Sequence, residues 1–201
     1  MKKTKIWSMF LCIVLMLTAV VVLTGCGGGG SESSADAAGQ GEEDAGPGVV
    51  TSSNGIISIE NTENYEPQIS SGSEKVTLWR IGREEGENDH FVEVEAASTD
   101  GSIISAATVC KSYVQGAPYS MQALKGDLDA FMGEHPTIYT NPTEITLNGE
   151  TYIRTECITN GAESYKIFGS VSGRPVIISV CDDRDNEDVQ KMLETLRITY
   201  S

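Results

Sequence analysis

Asn141-Pro142-Thr143-Glu144-Ile145-Thr146-Leu147-Asn148-Gly149-Glu150-Thr151-Tyr152-Ile153-Arg154-Thr155-Glu156-Cys157-Ile158 is the stretch on which the fold turns. Two β-branched, alternating runs flank Asn148-Gly149, the pair of residues that best tolerates the two positive φ angles of a type I′ hairpin. Glu144–Leu147 and Glu150–Ile158 therefore read as antiparallel strands. Tyr165–Val171 and Pro175–Cys181 continue the pattern across a turn at Gly173, which makes a four-stranded meander.

Upstream, the same period of two recurs. Ile56-Ile57-Ser58-Ile59 opens a strand, Tyr65–Gly72 is an irregular passage or short strand containing Pro67, and Val76–Ile81 and Phe91–Glu95 are strands separated by the acid-rich loop Gly82–Asp89. Between the two strand groups the period changes. Met121, Leu124, Leu128, Phe131 and Met132 recur at helical spacing, with Ser120 as N-cap and Gly133 and Pro136 as a stop, so Ser120–Gly133 reads as a helix. Asn186–Leu196 reads as a second one, with Val189, Met192, Leu193 and Leu196 on one stripe and acids in the first turn, where the helix dipole favours them. Ile103–Val114 fits both a helical face and a strand, with the balance toward helix. The expected class is α+β, an antiparallel β-sheet with helices packed on it.

The N-terminal part has a different logic. Lys2, Lys3 and Lys5 precede an apolar run from Ile6 to Leu23, which is the layout of a secretory signal peptide. The run closes in Leu23-Thr24-Gly25-Cys26, which resembles the lipobox of bacterial lipoproteins. That resemblance implies cleavage between Gly25 and Cys26, a diacylglycerol on the Cys26 thiol with added palmitate-type acyl chains, and a membrane partner reached through that lipid. The competing reading is an uncleaved anchor, since the eighteen residues from Ile6 to Leu23 just span a tilted bilayer. Both readings place the C-terminal part on the extracytoplasmic face.

Residues 26–55 are rich in Gly, Ser, Ala and acids without hydrophobic periodicity, and read as a disordered tether. About 30 residues of such chain reach roughly 30 Å. Residues 56–201 are the size of one ordinary domain. The net charge of −15 for the whole chain becomes −18 once the three lysines of the leader are removed. A surface of that sign repels nucleic acid, which is excluded as a partner.

The order of elements is itself familiar. The segment from Asn141 to Gly149, the strands Thr151–Ile158, Tyr165–Val171 and Val176–Val180, and the ending Met192-Leu193-Glu194-Thr195-Leu196-Arg197-Ile198 resemble the PsbP-like fold, to which the DcrB-like bacterial lipoproteins belong. The resemblance implies an α/β sandwich in an accessory or binding subunit of the envelope, with no shared catalytic set.

Candidate sites are sparse. Asp183, Asp185 and Glu187, with Glu194 at the twelfth position, invite a calcium loop, but Asp188 stands where the loop needs glycine, and helix capping explains the acids better. His90 and His135 read as surface residues, and no nucleophile elbow or triad spacing is present. Gly27–Gly30 lacks the Gly-Lys-Ser/Thr ending of a phosphate loop. Trp79, Tyr65, Tyr113, Tyr119 and Phe131 read as core before they read as a ligand cleft.

Cys110, Cys157 and Cys181 remain once Cys12 leaves with the leader and Cys26 is acylated, and no zinc spacing links them. If the strands of Cys157 and Cys181 flank a common neighbour, their backbones lie about 10 Å apart, beyond the roughly 7 Å reach of a disulfide, and any bridge would involve Cys110. No catalytic residue, metal or cofactor is expected. The expected function is a noncatalytic, surface-tethered binding or scaffold module with an envelope protein as partner. A small-ligand or cation-binding lipoprotein is the second reading and an extracytoplasmic hydrolase the third.

Overall fold

Alternation along the strands sorts their side chains between two faces of one sheet. The structure, a computed structural model, describes residues 48–82, 90–98, 108–159, 161–182 and 186–200. The leader with Gly25 and Cys26, most of the tether, the acid loop 83–89, the stretch 99–107 and Asp183–Asp185 lie outside the described residues. The described residues fall in one compact unit, Glu42–Ser201.

In chain order the elements are β1 (Val49–Thr51), β2 (Ile57–Glu60), β3 (Tyr65–Ile69), β4 (Lys75–Arg80), β5 (Phe91–Ala96), α1 (Met121–Glu134), β6 (Thr140–Leu147), β7 (Glu150–Thr159), β8 (Ala162–Val171), β9 (Arg174–Cys181), α2 (Glu187–Thr195) and β10 (Arg197–Ile198). Among the described residues, β3-β4-β5-β9-β8-β7-β6 make one antiparallel sheet and β1-β2-β10 a small second one. This is the antiparallel sheet with packed helices that the PsbP-like resemblance implies. Each expected strand is present, and the Tyr65–Gly72 passage resolves into β3.

The central strand β9 is buried along almost its whole length, so both faces of the sheet are covered there. Val176, Ile178 and Val180 point into one core with Tyr165 and Ile167 of β8, Val92 and Val94 of β5, and Val189, Met192 and Leu193 of α2. Ile177, Phe168 and Ile153 point the other way, into a second core with Leu124, Leu128 and Phe131 of α1. The two helices therefore cover opposite faces. Pro67 in β3 and Pro142 in β6 stand on edge strands, where a missing N–H is tolerated, and Pro175 stands near the start of the central β9.

The termini of the helices match their sequence signals. Ser120 Oγ accepts from Ala123 N at 3.1 Å, and Asn186 Oδ1 accepts from Asp188 N at 2.9 Å. Helix α1 runs through Gly133, one residue past the expected stop, and closes where His135 N donates to Phe131 O. At the hairpin, Asn148 and Gly149 have φ of 52° and 86°, as a type I′ turn requires. The Asn148 amide also donates to Leu196 O at 2.6 Å, so the turn caps the end of α2.

Two expectations need correction. The domain begins before Ile56: β1 lies within the stretch read as tether, Val50 is buried, and Val50 pairs with Ile59 of β2. Three residues amid Gly and acids are too few to show a period. The described part of the Ile103–Val114 segment, from Thr108 onward, is a run of turns and not a helix. Tyr113 N bonds to Cys110 O at 3.1 Å, while Val109 and Cys110 drop into the α1-side core. The Gly116-Ala117-Pro118 sequence that follows prevents a helical continuation.

Gly169 shows how tightly the α2-side core closes. It faces Tyr152 across the β7–β8 pairing, and the buried Tyr152 ring occupies the space that a Cβ on Gly169 would need. Gly169→Ala is expected to destabilise the domain by about 1–3 kcal/mol through overpacking, read as a lowered urea midpoint. An unchanged midpoint would show that the ring shifts freely.

Candidate functional site

Strands deliver charged residues at their ends, and two such places stand out. The first is centred on Asp182, directly after β9, whose side chain is fully buried. Its Oδ2 accepts from the Tyr65 hydroxyl at 2.5 Å, and its Oδ1 from Asn186 Nδ2 at 3.1 Å and Arg80 Nη1 at 3.3 Å. His90 Nδ1 lies 3.4 Å from the same Oδ1, an ion-pair distance without hydrogen-bond geometry. One carboxylate thus ties β3, β4, the entry to β5, the exit of β9 and the N-cap of α2. Burial, and next the bond to Asp182, push the Tyr65 hydroxyl far above its ordinary value, so it stays a donor.

A histidine facing a buried aspartate is half of a general-base arrangement. Among the described residues no hydroxyl or thiol hydrogen-bonds to His90 to complete it. His135 stands apart, its ring 4.7 Å from that of Phe131 and its Nε2 4.0 Å from Glu134. Glu134 is held below its ordinary value by a hydrogen bond and then charge from Lys111.

The second place is a cleft of about 300 Å³ beside the β8–β9 turn. Ser172 and Gly173 make that turn with φ of 50° and 74°, and Gly173 O accepts from Tyr119 N at 2.8 Å, which draws the 113–118 segment alongside. Tyr113, Gln115, Pro118, Ser98 and Ser172 form walls, and Arg174 the charged end. The Arg174 guanidinium lies over the Tyr200 ring, 4.5 Å from its centroid. Its Nη1 is buried without a hydrogen-bond partner. Burial raises the Tyr200 hydroxyl above its ordinary range, against the opposing pull of the Arg174 charge. No acid is among the described residues that line this cleft, although the chain carries 29.

A smaller hollow of about 170 Å³ lies between α1 and β6, but there Lys125 and Glu144 satisfy each other at 2.5 Å.

Of the aromatic residues singled out in the sequence, only Tyr113 reaches the cleft. Tyr65 belongs to the Asp182 group, Tyr119 and Phe131 are core, and Trp79 tilts against Phe91 at 5.1 Å. In the acid run, Asn186 caps α2, and Glu187 and Asp188 occupy its first turn. Among the described residues no group of three His, Cys, Asp or Glu side chains can hold a metal. Strands β7 and β9, carrying Cys157 and Cys181, do flank β8, and no disulfide joins the three described cysteines. Sequence reading missed Arg174 and Asp182, the first a lone cation after a turn, the second one of several adjacent acids.

No family model matches the chain, and no curated protein matches it in sequence. Similar solved structures include CyanoP, the PsbP of the cyanobacterium Synechocystis sp. PCC 6803, with a TM-score of 0.41 and 10% identity, covering 82% of this chain and 98% of that one. Another, from Bacteroides thetaiotaomicron VPI-5482, has a TM-score of 0.40 and 7% identity and covers 78% of this chain. The match spans 49% of the Bacteroides protein, about half its length.

Asp182→Ala is expected to destabilise the domain by about 2–3 kcal/mol, because the Tyr65 hydroxyl and Asn186 amide lose their charged acceptor. Urea unfolding measures this, and a change within error would mean that water replaces the carboxylate.

Alkaline stability follows from the buried acids. Burial pushes the Cys110 thiol up to about 11 and the Tyr139, Tyr152 and Tyr165 hydroxyls up to about 12. Raised folded-state values mean stability that is complete below the unfolded values, near 9 for the thiol and 10 for the phenols, and lost as pH rises through 11 to 12. Tyrosinate absorbance should therefore rise together with loss of fold in that window. Ionisation of all the tyrosines near pH 10, with the fold intact, would contradict it.

Proposed function

We propose that this chain is a lipoprotein of the cell envelope, held to the outer face of the plasma membrane through lipid on Cys26, whose domain is a noncatalytic accessory or binding module. The leader, the lipobox at Leu23–Cys26 and the Gly/Ser-rich stretch behind it support the anchor. The anchor needs at least two acyl chains to be stable, since each buried methylene contributes only about 0.8 kcal/mol. Among the described residues no helix is long and apolar enough to cross a membrane.

The observation that carries the binding reading is the cleft at Arg174. It offers an aromatic wall, a cation and polar groups converging on a concave space, which is how binding sites achieve orientation and selectivity. The same observation favours a small ligand as what the module takes, within an accessory role beside an envelope protein. The His90–Asp182 contact is better suited to holding five elements together than to a hydrolase, because Asp182 already accepts from Tyr65, Arg80 and Asn186.

Metabolic labelling with a tagged palmitate tests the anchor. Label on the wild-type protein in the membrane fraction, and none on Cys26→Ala, is the expected result. An unlabelled wild-type protein with its leader intact would refute the anchoring.

A further inference from the structure

We propose that the cleft beside the Ser172–Gly173 turn binds a small organic monocarboxylate, its anionic end held by Arg174 and its flat or apolar body lying against Tyr113 and Pro118. This rests on reading the cleft as the binding site of the module. Four features of the structure converge on that ligand class.

The first is the state of Arg174. The contact with Tyr200 engages the face of the guanidinium, which leaves the N–H groups in its plane available. Nη1 is nonetheless shielded from solvent and has no acceptor. A desolvated donor without an acceptor is unfavourable, and a carboxylate is a group whose two oxygens match the guanidinium fork.

The second is charge. The described residues lining the cleft include one cation and no acid, in a chain of net charge −15. The field of the whole molecule disfavours anions, and the more so the higher their charge. A monoanion gains the local contact with the smallest opposing penalty, whereas phosphate or a polyanion meets a larger one.

The third is size. A volume of about 300 Å³ is at the lower end of ligand sites and suits a molecule of benzoate dimensions, not a polymer. The fourth is the wall chemistry. Tyr113 and Pro118 present flat and apolar surface next to the charged end, an arrangement that pairs with a ligand carrying a carboxylate at one end and a ring or short chain at the other.

Isothermal titration of the processed, lipidated protein in detergent with benzoate, benzamide and inorganic phosphate tests the proposal. Benzoate is expected to bind saturably, with benzamide, its uncharged isostere, at least about tenfold weaker. Phosphate should compete poorly, and Arg174→Gln should abolish the preference for benzoate over benzamide. The contrast between benzoate and benzamide is made on the wild-type protein, so it stands whether or not the variant folds.

Equal binding of benzoate and benzamide would overturn the carboxylate assignment while leaving the cleft a binding site. Competition by phosphate at equal strength would replace a monocarboxylate by anions in general. Heat from neither benzoate nor benzamide would remove both the ligand class and the reading of the cleft.

Discussion

The pairing of β5 with β9 is the contact on which the architecture depends. Each group of strands on its own is a local meander, β3-β4-β5 on one side and β6 to β9 on the other. Phe91 to Ala96 join Cys181 to Val176 in register and fuse the two into one sheet across about 80 residues of intervening chain. This places β9 in the interior, buried on both faces. Past its first residue a strand in that position holds no charge, so the charged groups stand at its ends. Arg174 begins it and Asp182 follows it, roughly 25 Å apart at the rise of an antiparallel strand.

The two ends have different chemistry because different elements meet there. At the Asp182 end four strands and a helix N-terminus converge, and a buried carboxylate with several donors is well satisfied. Such a group contributes to a single defined arrangement of elements. At the Arg174 end the hairpin turn meets a run of turns whose own backbone groups bond locally, so fewer acceptors face the guanidinium. The Asp182 carboxylate is satisfied by three donors while the Arg174 Nη1 has no acceptor, and on that contrast the Arg174 end is the one proposed to bind.

In the proposed reading, a binding module in a chain of net charge −15 needs its recognition concentrated in a place where the local field differs from the average. The cleft meets that condition through a single guanidinium, with no acid among the described residues that line it. Its walls are drawn together by two bonds of the Tyr119 backbone, to Gly173 and to the Ser170 hydroxyl. The same segment that fails to form a helix therefore shapes the cleft.

By itself the sequence determined the element types wherever a local period was long enough to read, which leaves out β1 and the run of turns after Thr108. Asn148-Gly149 specified its turn, Ser120 and Asn186 their helix starts, and the alternation along β7 and β8 the sharing of side chains between two faces. The lipobox resemblance at Cys26 is local in the same sense. What only the tertiary structure decided involves residues far apart in the chain. Tyr65 and Asp182 are 117 positions apart, Arg80 and Asp182 are 102, and neither partner carries a local mark of the other. Arg174 became a candidate only once Tyr200, the turn at Gly173 and the 113–118 segment were brought around it. Periodicity reports which way a side chain points along its own element, whereas burial and the satisfaction of a polar group depend on what the other elements bring to meet it.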